Sequence, residues 1–207
     1  MNYIEHWNSV YDSKTDEQLG WYEAMPEKTM QLIEDCNLQP HATILTVGAG
    51  TTTLIDELLK KGFTNLIAND LSESALKNLK RRIKSDFNYN LECIVDDLTQ
   101  PSSLQKLSDI DLWIDRAVLH FFLKEEEQKA YFGLIKKIVA KNGFVLIAVF
   151  AIDGAEKCSG LPLQRYDVTM LKQKLGDNFK LIDSFNYTFI NPFGGERPYV
   201  YTLFQRQ

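Results

Sequence analysis

The chain has 207 residues, 44% hydrophobic and 25% charged, which is the composition of a globular protein and excludes a disordered one. Lys and Arg number 23 against 28 Asp and Glu, a net charge of −5. That balance lacks the concentrated positive field that phosphate-backbone binding needs, so no nucleic-acid partner is expected. The three cysteines, Cys36, Cys93 and Cys158, make neither a disulfide framework nor a CxxC metal spacing, so no metal is expected. No apolar run approaches the roughly 18–20 residues of a membrane span, and the start lacks the basic and apolar regions of a signal peptide. The expectation is a cytoplasmic protein that engages no membrane; nothing in the sequence marks an oligomeric state.

Residues 1–40 read as a helical extension, with Trp7, Tyr11, Trp21 and Tyr22 concentrated in it, ahead of a domain over 41–207. From Thr43 onward, short apolar runs predict strands over 43–48, 65–69, 91–95, 111–115 and 143–151. Helical patterns lie between them over 51–61, 73–84 and 125–140. Tyr131, Leu134, Ile135 and Ile138 fall at i, i+3, i+4 and i+7, and Leu76, Leu79 and Ile83 at i, i+3 and i+7. Ser72 is placed to cap the second of these helices, and Asn142-Gly143 to stop the third. Strands alternating with helices predict an α/β protein whose mostly parallel sheet carries helices on both faces. After a short helix over 167–175, strands over 179–186 and 197–204 follow each other directly, which predicts an antiparallel end to the sheet.

The first strand runs into Gly48-Ala49-Gly50-Thr51 and then a helix, a turn that offers close backbone approach and free N–H donors. Asp70 closes the second strand, where an acid can accept from both hydroxyls of a ribose. The third glycine of a dinucleotide fingerprint is replaced by Thr53, which counts against NAD. The bland alternative is that the glycines only make a tight turn and Asp70 is a solvated strand end.

On these residues, from Thr43 to Phe204, the chain resembles the class I S-adenosylmethionine-dependent methyltransferases. The resemblance implies a Rossmann-like, seven-stranded, mostly parallel sheet with an antiparallel last strand. It implies S-adenosylmethionine as cofactor, S-adenosylhomocysteine as product, and transfer by in-line displacement without a metal. Gly48 and Gly50 would lie along the methionine part, Asp70 and Leu71 at the ribose, and Asp97 with Leu98 at the adenine. Asp96 competes with Asp97 for that last place. The family usually has an acid two residues before the first glycine, where this chain has Thr46, and often a glycine where it has Thr52. The methionine amino group would then need a backbone carbonyl or a side chain of the extension. Trp7 and Tyr11 would close over the cofactor as an aromatic lid, and Trp21 would face the acceptor.

Asp115-Arg116 ends the fourth strand and is similar to the arrangement in thiopurine and tellurite methyltransferases, small-molecule enzymes. That similarity implies a small-molecule acceptor, a thiol or other soft nucleophile, with Asp115 toward the sulfonium and Arg116 orienting an anionic group. His120 is a candidate proton acceptor, set against a histidine packed under the following helix. The stretch from Asp153 to Pro162 reads as a loop over the site, with Arg165 and Tyr166 as candidates to orient the acceptor. Cys158 is not read as a nucleophile, since direct transfer needs no covalent intermediate. Lys80-Arg81-Arg82 reads as a solvated helix face. The rival readings are a protein lysine methyltransferase, a noncatalytic S-adenosylmethionine-binding protein, and a nicotinamide-dependent oxidoreductase.

Overall fold

A computed structural model describes residues 2–207. Two helices, α1 (Tyr3–Ser13) and α2 (Glu27–Asp35), precede β1 (Thr43–Val47), α3 (Leu54–Lys60), β2 (Asn65–Asp70), α4 (Glu73–Phe87) and β3 (Glu92–Val95). Then come β4 (Ile110–Arg116), α5 (Glu125–Ile138), β5 (Val139–Phe150) and a small hairpin of β6 (Lys157–Cys158) and β7 (Leu161–Pro162). The chain ends with α6 (Val168–Leu175), β8 (Phe179–Ile190) and β9 (Glu196–Arg206).

Seven strands form one sheet in the order β3-β2-β1-β4-β5-β9-β8. The pairs from β3 through β5 are parallel, while β9 is antiparallel to both β5 and β8. The expected architecture therefore holds, with the last strand inserted between β5 and the edge strand β8. Strand order reverses between β1 and β4, so the exits of these two strands diverge and leave a crevice at the sheet's carboxyl rim.

Both faces of the sheet are covered, which is why its central strands are apolar nearly throughout. In β4, Leu112 and Ile114 point into a core with Leu32 and Ile33 of α2, Ile55 of α3 and Leu76 of α4. Trp113 points the other way, into a second core with Tyr131 and Ile135 of α5 and Leu171 of α6. Ser72 caps α4 by accepting from the Ala75 N–H at 3.1 Å. The extension docks beside that cap: Asn8 Oδ1 of α1 accepts from the Ser72 hydroxyl at 2.7 Å and the Ser74 N–H at 3.3 Å. No helix among the described residues is long and apolar enough to cross a membrane.

Asn142-Gly143 does not stop α5. The helix ends at Ile138 because Val139 already pairs with Ile110 of β4. Asn142, with φ +65°, then makes a bulge before the regular pairing of Leu112 with Phe144. Gly143 fills the tight spot, since a Cβ there would lie 2.9 Å from the carbonyl oxygens of Ala140 and Ile110.

Candidate active site

The turn after β1 is compressed from two sides. Gly48 and Gly50 have φ of +54° and +52°, a conformation side chains rarely adopt. A Cβ on Gly48 would come within 2.0 Å of Val118 Cγ2, and one on Gly50 within 2.3 Å of the Tyr11 hydroxyl. The missing side chains let the segment after β4 and helix α1 close directly on the turn.

Asp70 follows from that geometry. Its Oδ2 accepts from the Gly50 N–H and its Oδ1 from the Ser72 N–H, both at 2.8 Å. Burial outweighs these bonds and pushes its pKa up to about 6. Gly50 itself does not line the cavity described below; it holds Asp70 in place.

The two acids after β3 have different tasks. Asp96 accepts from the N–H groups of Ser102, Ser103 and Leu104 and from the Ser102 hydroxyl, and so shapes the following turn. Burial would raise its pKa, but those bonds, led by Leu104, outweigh it and lower the value. Asp97 uses only Oδ1, which accepts from the Thr99 N–H and hydroxyl at 2.7 Å each.

A cavity of about 280 Å³ opens at this rim, with Gly48, Asp70, Leu71, Asp97 and Leu98 among its walls. Trp7, Tyr11 and Trp21 wall it from the extension, and Val118, Phe121 and Phe122 from the segment after β4. The rings meet edge to face, Trp7 against Trp21 at 5.6 Å and against Phe121 at 5.3 Å. Carboxylates that can accept from hydroxyls, flanked by apolar walls, suit a nucleoside.

Four expected roles fail on geometry. Asp115 is fully buried and faces away from the cavity; its carboxylate accepts from the N–H groups of Val118 and Leu119 and from the Tyr131 hydroxyl at 2.6 Å. It pins the turn through Ala117 (φ +73°) and so sets the wall at Val118. His120 is also fully buried, between Phe121 and Phe150, with no partner for either ring nitrogen. Burial, then the Arg116 charge, drives its pKa down to about 3, so it packs as a neutral imidazole instead of accepting a substrate proton. Arg165 reaches the Gly154 carbonyl and, at 3.6 Å, Glu156, holding the loop instead of facing the cavity. Tyr166 is fully buried in the core under α5 and α6.

Arg116 does border the cavity, with two of its three nitrogens engaged and Nη2 buried without a hydrogen-bond partner. Nε lies 2.9 Å from Glu23 Oε2, and Nη1 donates to the Trp21 carbonyl at 2.9 Å. Its guanidinium lies over the rings of Phe189 and Tyr199 at 5.0 and 5.5 Å. It straps the extension to β4. Within the basic run, Arg82 is likewise an exception to a solvated face, since it binds the Thr52 carbonyl and Asp56.

A model for a methyltransferase domain matches residues 44–143, just under half of the chain. A SAM-dependent methyltransferase from Anabaena variabilis superposes with a TM-score of 0.76 at 14% identity, covering 99% of this chain and 93% of that one. NodS, an N-methyltransferase from Bradyrhizobium japonicum solved with S-adenosylhomocysteine, gives a TM-score of 0.70 at 12% identity over 97% and 98% of the two chains. The fold is that of the class I S-adenosylmethionine-dependent methyltransferases.

Among curated proteins, EEF1A lysine methyltransferase 2 of Danio rerio is 26% identical over 156 residues, 69% of this chain and 66% of that protein. The mouse and human proteins of that name are 26% and 25% identical over the same length. The chain spans just under two thirds of the length of these relatives, 63–66%. They are named for methylating lysine of a protein, and this overturns the small-molecule acceptor expected from Asp115-Arg116. A dipeptide at a strand exit specifies a turn, here the one Asp115 pins, and carries no information about the acceptor.

For this methyltransferase fold, Asp70 and Leu71 could hold a ribose and Asp97 with Leu98 an adenine. Sequence reasoning missed Glu23, Phe121 and Phe122. The paired phenylalanines had a visible signal, being large apolar residues outside any strand or helix pattern. Glu23 had only its place beside Trp21-Tyr22.

Proposed function

We propose that this protein transfers a methyl group from S-adenosylmethionine to the ε-amine of a lysine in a protein. The observation that carries this reading is the aromatic rim of Trp7, Trp21 and Phe121 around a cavity with carboxylates at its nucleoside end. The likeness to lysine methyltransferases supports it from an independent direction. Bound S-adenosylmethionine supplies an electrophilic methyl group on a sulfonium. The chain's own residues then have three tasks. Asp70 and Asp97 accept hydrogen bonds from the nucleoside and fix it against Gly48. Trp7, Tyr11 and Trp21, in an extension read as a lid over 1–40, exclude water and favour positive charge by their ring faces. The apolar rim also lowers the pKa of an entering amine, so that it reaches the site with its lone pair free. Alignment of this kind contributes up to about 7–11 kcal/mol in favourable cases.

The test is incubation with deuterated-methyl S-adenosylmethionine and an eEF1A-type elongation factor, and separately with a proteome, followed by mass spectrometry. The reading requires label on lysine ε-amines that Asp70→Ala abolishes. Label confined to small molecules, or no transfer despite cofactor binding, would overturn it; the second result would favour a noncatalytic binding protein.

A further inference from the structure

The cavity does not stop at the extension. Trp21 walls both the cavity and a smaller recess that Glu23 also lines, and Glu23 in turn walls a surface groove of about 450 Å³. The groove runs between residues 17–28 of the extension and the end of β8, the edge strand of the sheet. A protein segment with its lysine in the cavity can therefore continue along the groove.

Charge and apolar surface together set what the groove would hold. Glu17, Glu23 and Glu27 line it. Arg116 answers Glu23 at 2.9 Å, whereas no ion pair among the described residues engages the exposed Glu17 or Glu27. Burial raises the Glu23 pKa, Arg116 opposes the rise, and the charge of Glu27 adds to it, so these acids stand close enough to repel one another. Unanswered carboxylates disfavour a phosphate backbone or an acidic peptide and favour Lys and Arg side chains.

The same walls carry Met25 and Ile190, 49% and 54% exposed, and Phe193 stands 68% exposed in the turn just beyond. Large apolar side chains left open along one rim mark a contact surface. The groove's own cation shows how a basic side chain packs there: Lys28 Nζ lies 5.6 Å from the centroid of the Tyr187 ring.

We propose that this groove docks a segment of the substrate protein, beside the methylated lysine, in which basic and apolar residues are interleaved. The extension then has two tasks: Trp21 faces the cavity, while Glu17, Met25 and Glu27 select the sequence around the lysine. This rests on reading the protein as a lysine methyltransferase.

The test uses the full chain with S-adenosylhomocysteine and two fluorescent peptides of equal length and leucine content, one carrying lysines and the other glutamates, read by anisotropy. The lysine peptide should bind and the glutamate peptide should not. Glu17→Lys combined with Glu27→Lys should weaken lysine-peptide binding about fivefold or more at low salt and lessen its salt dependence. Glu92→Lys combined with Asp177→Lys makes the same charge change at exposed acids that line neither groove nor cavity, and should alter binding less than about twofold. Equal loss in both variants, no loss in the first, or a wild type that binds both peptides alike or neither would overturn the groove. So would a wild-type dimer that the Glu17 and Glu27 reversal dissociates, since a second copy would then be the occupant. Methyl transfer to an eEF1A-type elongation factor separates the two readings. Lysine labelling with the same kcat/KM in wild type and the groove variant refutes the groove and leaves the lysine reading standing. Label confined to small molecules refutes the lysine reading, and the groove's substrate role with it.

Discussion

Asp70 and Asp97 differ in how their carboxylates are held, and this sets how each responds to pH and mutation. Asp70 is buried with a pKa of about 6 and would accept from a ribose most strongly when ionised. Protonation removes that charge as pH falls through 6, so S-adenosylhomocysteine affinity should decline by up to about tenfold per pH unit below it. In Asp70→Ala, isothermal titration should show binding weakened about tenfold or more and this acid-side decline gone. A wild-type affinity flat from pH 7.5 to 5 would contradict the assignment. Gly48→Ala places a methyl group onto Val118 at a positive φ, and denaturant melts should show about 1–3 kcal/mol of lost stability. The tight glycine turn and the place of Asp70 at the end of β2 were legible in the sequence because a turn and a strand end leave residue-type signatures, whereas the bond by which Gly50 holds Asp70 was not. Asp115 and His120 were misread because sequence position gives which end of a strand a residue occupies, not whether its side chain is already satisfied inside.

At the scale of elements, the site depends on how the segment after β4 and the helix α1 are held against the glycine turn. The first is fixed by Asp115, which Tyr131 of α5 supports through its hydroxyl. Tyr131→Phe keeps the ring and removes that bond, leaving a buried carboxylate short of a donor at a cost of about 1–3 kcal/mol. The change would be read as a lower urea midpoint with an unaltered slope. Helix α1 contributes mainly to the cavity wall, through Trp7 and Tyr11, and docks on α4 through Asn8. A chain beginning at residue 16 should therefore keep its far-ultraviolet dichroism and cooperative melt while losing S-adenosylhomocysteine affinity about tenfold. Loss of the cooperative melt would make α1 part of the core instead. The order of strands and helices was readable from periodicity, whereas helix α5 ended two residues before 140 because pairing with β4 overrides the Asn-Gly stop signal.

Across the whole molecule, buried titratable groups set opposing pH dependences. His120 stays neutral when folded, down to about pH 3, but its unfolded form takes a proton below about 6.5, so its burial costs stability as pH falls through that value. Asp70 and Asp115, both raised to about 6, act oppositely: the folded state takes up their protons first, which adds stability between about pH 6 and 4. Replacing His120 with Leu removes the first contribution only. Relative to wild type, that variant should gain about 1–2 kcal/mol between pH 7.5 and 5, measured by chemical denaturation at each pH. An unchanged difference would show that His120 titrates normally in the fold. The alternation of strands and helices was readable from periodicity, whereas the residues proposed to meet a nucleoside came largely from the family resemblance; the acceptor was in neither, because the rim that α1, Trp21 and Phe121 build is assembled across long sequence distances.

The central claim is that one cleft at the reversal of strand order holds the nucleoside of S-adenosylmethionine. The most direct measurement is a crystal structure of the chain with S-adenosylhomocysteine. The account predicts ribose hydroxyls on the Asp70 carboxylate, adenine beside Asp97 and Leu98, and the chain of the amino acid running past Gly48. A nucleoside bound elsewhere, or one that leaves Asp70 and Asp97 untouched, would contradict it.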